Sequence, residues 1–278
     1  MAAALRRFVL PRGLTCRRRV YSTDSVPPFD CVRFEHVATA LHRIRSGIVR
    51  TPMQQSHWLS EATGCHVHLK MEQQQFTGSF KERGARNALL NLSAEESKRG
   101  VVAASAGNHA LALCWHGLQL GIPVTVVMPT VAPMAKVDKC RLFGANVVIH
   151  GAHIGEAKQH ALDAHADLKY INGYDDPEII AGTGTLGMEM LEQVPDCEVM
   201  VVPVGGAGLI AGIALAVKTM NPEVKVARPA TQRASPPCSA PCVASAWSEP
   251  PRALLAESLP PLPAPHPHPH PLLSCASR

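Results

Sequence analysis

The stretch Val101-Val102-Ala103-Ala104-Ser105-Ala106-Gly107-Asn108-His109 decides how this chain folds. An apolar run too short for a helix passes through small residues and a glycine into a helical pattern over 108–120. That is a buried strand turning directly into a helix. The same grammar repeats outward. Further apolar runs lie at 124–128, 147–149 and 199–204, with helical stretches near 133–143, 154–166 and 177–193 between them. A last helix at 208–220 leads to a strand at 224–226. Upstream, Phe34, Val37, Leu41 and Ile44 recur at helical spacing, 66–71 alternates like a strand, and 79–91 reads as a helix. Short β-rich runs alternating with helices predict an α/β protein with parallel sheets covered on both faces.

Composition narrows the class. Apolar residues make up 46% of the 278 and aromatics only 4%, so the core is expected to be Val, Leu, Ile and Ala. No run approaches the ~20 apolar residues of a membrane span, and no membrane is expected as a partner. The net charge of +5 is misleading, because residues 1–23 hold six arginines and no acid. The rest of the chain is nearly neutral and lacks a basic footprint for nucleic acid. An arginine-rich, acid-free start followed by Ser22 and Thr23 has the composition of a mitochondrial transit peptide, and Arg19-Val20-Tyr21-Ser22 resembles a matrix-protease cleavage site. The expectation is a mitochondrial matrix location; a plain basic tail is the alternative. The nine cysteines lack framework spacing and read as reduced thiols. Cys238 and Cys242 have no partner pair, and no metal site is expected.

Three segments carry chemistry. In Thr77-Gly78-Ser79-Phe80-Lys81-Glu82-Arg83-Gly84, a lysine is expected one turn into a helix, behind small residues. The helix dipole and desolvation both lower the pKa of such an amine, which suits an imine former or a base. In Ser105-Ala106-Gly107-Asn108-His109, unpaired N–H groups at a helix start make an anion site fit for a substrate carboxylate. Asn108 adds an amide, and His109 reads as a packed helix residue more readily than as an acid/base group. In Val204-Gly205-Gly206-Ala207-Gly208-Leu209, glycines let the backbone wrap a phosphate at a helix start. This segment does not have the Gly-x-Gly-x-x-Gly order of dinucleotide sites.

Taken together, these segments resemble the site of the tryptophan synthase β-like (fold type II) pyridoxal-phosphate enzymes. The resemblance runs over residues 30–227 and includes Arg50-Thr51-Pro52, Gly121-Ile122-Pro123 and Ile180-Ala181-Gly182-Thr183-Gly184-Thr185. Within that family the chain is similar to threonine and serine ammonia-lyases (dehydratases). The resemblance implies that Lys81 holds pyridoxal 5′-phosphate (PLP) as a Schiff base and that Phe80 lies against its ring. It implies further that Asn108 bonds the cofactor 3′-oxygen and that Ser105, Ala106, Gly107, Asn108 and His109 form the substrate-carboxylate loop. Gly205, Gly206, Ala207, Gly208 and Leu209 match the phosphate cup, with Ala207 where the family usually has glycine. Serine racemases of this fold carry a serine where this chain has Ala106, which cannot move a proton; this favours elimination over racemisation.

The resemblance also implies two parallel-sheet domains with the cofactor between them. A small domain is expected at 98–173, inserted in a large PLP-binding domain formed by 30–97 and 174–227. Residues 228–278 hold 13 of the 24 prolines and the run His266-Pro267-His268-Pro269-His270, and are expected to be a disordered tail. The rest of the family's large domain is expected to be missing, as in a truncated or alternatively spliced product with exposed strand edges. The functional expectations are therefore two: an ammonia-lyase acting on L-threonine or L-serine, or a non-catalytic isoform that binds PLP weakly or modulates full-length subunits. The family also implies a homo-oligomer.

Overall fold

The structure is a computed structural model that describes residues 32–229. The expected transit segment 1–23 and residues 230–278 of the proline-rich stretch lie outside the described residues. In order, the elements are α1 (Phe34–Ile44), β1 (Met53–Gln55), α2 (His57–Thr63), β2 (His68–Lys70), a 3₁₀ turn (Glu72–Gln74), α3 (Lys81–Leu90), α4 (Ala94–Arg99), β3 (Val101–Ala104), α5 (Asn108–Leu120) and β4 (Val124–Met128). They continue with α6 (Met134–Leu142), β5 (Asn146–Ile149), α7 (Ile154–Ala164), β6 (Lys169–Tyr170), α8 (Pro177–Gln193), β7 (Val199–Val201), α9 (Gly208–Met220) and β8 (Lys225–Ala227). Local chemistry sets many boundaries. Asp176 accepts from the Glu178 and Ile179 N–H groups ahead of Pro177, the pairing that starts helices, and left-handed Gly121 ends α5.

The strand order β5-β4-β3-β6 is parallel throughout. Its pleat sorts side chains to two sides. Val101, Ala103, Val126 and Met128 pack with Leu111, Leu113 and Cys114 of α5 and Val137 and Cys140 of α6. Val102 and Val127 face the other way, onto Ala157 and Ala161 of α7. Both faces are covered, as the near-continuous apolar runs require. Among the described residues β7 pairs only with β8, in parallel, and Met200 packs under α9 against Ile210, Ile213 and Val217. The opposite side of β7 is bare: Val199 is 49% and Val201 64% exposed.

Helix α8 is the hub between α3 and α9, and glycine makes that possible. A methyl on Gly182 would lie 2.6 Å from the Arg83 carbonyl oxygen and 2.7 Å from the Gly84 Cα. A methyl on Gly184 would lie 2.9 Å from the Gly212 carbonyl oxygen. The helices therefore touch backbone to backbone. A buried ion network locks the same junction. Arg83, with 0% exposure, donates to both Glu189 oxygens at 2.7 and 2.9 Å and to Glu72 Oε1 at 2.8 Å. Lys70 Nζ donates to Glu189 Oε2 at 2.7 Å. Two cations face two carboxylates, and burial is offset by pairing. The pairs outweigh desolvation in holding Arg83 above and Glu189 below their ordinary values.

Three sequence expectations change. The helix expected over 79–91 begins at Lys81, with Phe80 as its N-cap, so Lys81 is the first helical residue rather than one turn in. The cause is Glu82, whose carboxylate accepts from the Thr77 N–H and hydroxyl and folds 77–80 into a turn. The β1–β2 pair is antiparallel, not parallel, with Met53 opposite Lys70. The strand expected to reach 204 ends at Val201, where partner strand β8 runs out at Ala227. The short elements β1, α2, α4 and β6 carry too few residues for a periodic signal.

Candidate active site

Each chemical segment stands at the start of a helix. Lys81 opens α3, Asn108 opens α5 and Gly208 opens α9. Their backbone N–H groups lack intrahelical partners there, and the positive dipole ends favour anions. What brings the segments together is a fourth one, Ile171-Asn172-Gly173-Tyr174, the link from β6 to α8.

Lys81 Nζ donates to the Gly173 carbonyl and lies 5.3 Å from the centroid of the Phe80 ring. It is half-buried, and that burial lowers its pKa. The His109 ring bonds the Ile171 carbonyl through Nε2 at 3.2 Å and is pressed against Gly173. His109 is a packed helix residue, 6% exposed, as the sequence suggests. Burial and the Lys81 charge push its pKa down to about 4, so the ring is neutral. Its Nδ1 and the buried Ser79 Oγ make no hydrogen bond among the described residues. On the third segment, a side chain at Gly206 would collide with the Tyr174 ring, and one at Gly208 with the Tyr174 carbonyl.

Within the second segment, the Gly107 N–H donates to Ser105 Oγ at 3.2 Å and Ala106 is half-buried. Asn108 is exposed, and its Oδ1 accepts from Lys136 Nζ of α6 at 3.3 Å. Ala207 is the only non-glycine residue with positive φ among the described residues, at 68°. An alanine there bears the left-handed cost, ~1–2 kcal/mol. Leu209 is half-buried and packs with the α9 cluster.

Sequence reasoning missed the 171–174 link and Lys136. The link was visible only as a domain boundary, although Asn172-Gly173 followed by Asp176-Pro177 is a turn-then-helix-start signature. Asn172 Oδ1 accepts from the Tyr174 and Asp175 N–H groups, which shapes the turn. Lys136 had no local signal, since its partner is 28 residues away.

The residues fit pyridoxal phosphate. Lys81 offers an amine whose charged form is destabilised by burial, beside an aromatic ring. Gly205 has open space where a side chain would be, and the N–H groups of Gly205, Gly206 and Ala207 bond no acceptor among the described residues. A backbone cradle with free donors at the start of a 13-residue helix is the donor set a phosphate requires.

Known proteins agree. Residues 44–260 match the family described as "Pyridoxal-phosphate dependent enzyme", a match that runs past residue 227 into the proline-rich segment. The L-threonine ammonia-lyase of Thermotoga maritima is 48% identical over 197 residues, covering 70% of this chain and 49% of that protein. The processed form of threonine deaminase isoform 2 from Solanum lycopersicum superimposes with a TM-score of 0.67 at 39% identity, over 70% of this chain and 58% of the other. Maize serine racemase gives 0.69 at 32% identity, over 71% and 61%. The chain spans about half to three-fifths of the length of the curated relatives it matches. With a lysine, an asparagine loop and a glycine cradle at three helix starts around one link, and a family match over most of its length, the chain belongs to the pyridoxal-phosphate dependent enzymes.

Proposed function

We propose that the chain carries the cofactor-capturing part of an ammonia-lyase that converts L-threonine or L-serine to 2-oxobutanoate or pyruvate and ammonia. The observation that carries this reading is the convergence of Lys81, His109 and the Gly206–Gly208 backbone on the single link 171–174. Lys81 would hold the cofactor aldehyde, with Phe80 against its ring and Asn108 at its 3′-oxygen. Gly205, Gly206, Ala207, Gly208 and Leu209 would hold its phosphate. Bound pyridoxal phosphate supplies an electron sink for the substrate carbon.

The protein supplies the rest. In the loop Ser105 to His109, the N–H groups of Ala106, Asn108 and His109, which bond no acceptor among the described residues, orient the substrate carboxylate. Lys81, with a lowered pKa and no carboxylate partner among the described residues, is the base for the α-proton. Neutral His109 keeps a second positive charge away from that amine. Elimination rather than racemisation follows from Ala106, a methyl where two-sided proton transfer needs a hydroxyl or similar group. The likeness to maize serine racemase supports the fold of the site and leaves Ala106 decisive for the reaction.

The same reading assigns 98–173 to a small lobe, and 30–97 with 174–227 to a large one, in a homo-oligomer. Residues 1–23 would direct the protein to the mitochondrial matrix. The test is to incubate the chain with PLP, reduce with borohydride and map the modified peptide, then assay threonine and serine for 2-oxo acid release. Cofactor fixed on Lys81 and absent in Lys81→Ala supports the reading. A folded chain that takes up no cofactor at Lys81 refutes it.

A further inference from the structure

Directly behind Lys81 lies a buried polar relay that the chemistry above does not use. Glu82, 1% exposed, accepts through Oε1 from the Thr77 N–H and, at 2.8 Å, from the Thr77 hydroxyl. Its Oε2 lies 3.3 Å from Nε2 of His116, a residue of α5 with 0% exposure, at charge-pairing distance without the alignment of a hydrogen bond. On the other side of the His116 ring, Nδ1 lies 3.4 Å from Arg86 Nη1. A guanidinium only donates, so Nδ1 accepts and the ring hydrogen sits on Nε2, facing Glu82. Burial pushes Glu82 up, but the contacts from His116 and Thr77 outweigh it and hold the carboxyl ionised below the usual range. Arg86 is 9% exposed, and its Nε makes no hydrogen bond among the described residues.

The relay has a direction. It starts on α3, one residue after Lys81, crosses to α5, whose first residue is Asn108, and returns to α3 at Arg86. At its front end it closes the turn Thr77–Phe80 that aims Lys81. A carboxylate is costly to bury, and hydrophobic residues of similar volume would fill the same space without that cost. What a hydrophobic residue cannot do is hold the Thr77 N–H and hydroxyl together.

We infer that Glu82 and His116 are positioning residues: by clamping Thr77 they hold the Lys81 amine in its half-buried pocket against Gly173, in register with the asparagine loop. This rests on the assignment of Lys81 as the cofactor lysine only for its catalytic meaning. The clamp is a property of the free chain. Loosening it lets the amine swing into water.

The test is therefore made without cofactor. The chain is acylated with acetic anhydride over a pH series, and the labelling of Lys81 and of exposed Lys158 is followed by mass spectrometry. In the parent chain Lys81 should label with a lower pH midpoint than Lys158. In Glu82→Leu, His116→Leu and the milder Thr77→Val, the Lys81 midpoint should rise toward that of Lys158 by about one unit, a tenfold loss of neutral amine. Glu82→Gln, which keeps an acceptor for Thr77, should restore most of the parent value. Removing a carboxylate that merely sat near Lys81 would lower the midpoint instead, so the sign separates the two roles. A Lys81 midpoint that stays put or falls in folded Thr77→Val and Glu82→Leu overturns the inference. If borohydride mapping finds no cofactor on the parent Lys81 while the midpoints still move, the enzyme reading fails and the clamp stands.

Discussion

Replacing Gly182 with alanine sets two magnitudes against each other. Gly182 lies inside α8, where alanine is favoured over glycine by ~1 kcal/mol from helix propensity alone. The structure argues the other way. The new methyl would stand 2.6 Å from the Arg83 carbonyl oxygen and 2.7 Å from the Gly84 Cα. Neither atom belongs to a side chain that can rotate away. Ordinary contacts are ~3.5–4.0 Å, so α3 and α8 must part by about 1 Å. Overpacking of that kind costs ~1–3 kcal/mol. The parting also stretches the 2.7 Å Arg83–Glu189 pair, and a buried pair that loses its partner costs ~3–5 kcal/mol. Partial loss of that pair plus the clash, less the propensity gain, leaves a net destabilisation of roughly 2–4 kcal/mol. Urea unfolding followed by circular dichroism reads it as a lower midpoint at unchanged slope. Gly205→Ala is the control, because nothing lies within 4 Å of the added methyl, and it should stay within ~0.5 kcal/mol of the parent. A Gly182→Ala midpoint at or above the parent's would refute the close helix contact on which the placing of Lys81 depends.

Further outcomes follow from the same structure. Ala207→Gly removes left-handed strain of ~1–2 kcal/mol and returns ~0.5–1 kcal/mol to the freedom of the unfolded chain, so urea unfolding should show a gain of up to about 1.5 kcal/mol. Glu189→Ala leaves Arg83 and Lys70 buried with only Glu72 between them and should cost ~3–5 kcal/mol; a loss under ~1 kcal/mol would mean that the network contributes no buried pairing. His109 has its pKa depressed to about 4 in the folded state against 6.5 in a free chain. Between those values the unfolded chain binds the proton and the folded one does not, so stability should fall as pH drops from about 6.5 to about 4, by up to about 3 kcal/mol. His109→Phe should remove that part of the slope when urea midpoints are compared across the same range.

Much of the fold was legible because its signals are local. Helices α5, α8 and α9 begin and end where the sequence reading places them, since Gly107, Asp176, Ala207 and Gly121 mark their ends chemically. Strands β3, β4 and β5 of the larger sheet were legible as short apolar runs, and the two-sided burial of Val101, Val102, Val126 and Val127 explains why those runs do not alternate. Lys81, the asparagine loop and the glycine loop were legible as residue types at helix starts. The exact start of α3 was not, because it depends on the Glu82 carboxylate reaching back to Thr77.

By itself, then, the sequence determined the α/β class, the order of the longer elements and three chemically distinctive helix starts, since each rests on neighbours within a few residues. Only the tertiary structure decided that Ile171–Tyr174 joins those segments, that Lys136 reaches Asn108, and that α8 clamps α3 and α9 through Gly182 and Gly184. It also decided that Glu82, beside Lys81, faces His116 rather than solvent. The physical reason is distance along the chain. Arg83 and Glu189 are 106 residues apart, and Lys81 and Gly173 are 92. No periodicity or local motif encodes a partner that far away; packing of the helices brings it there.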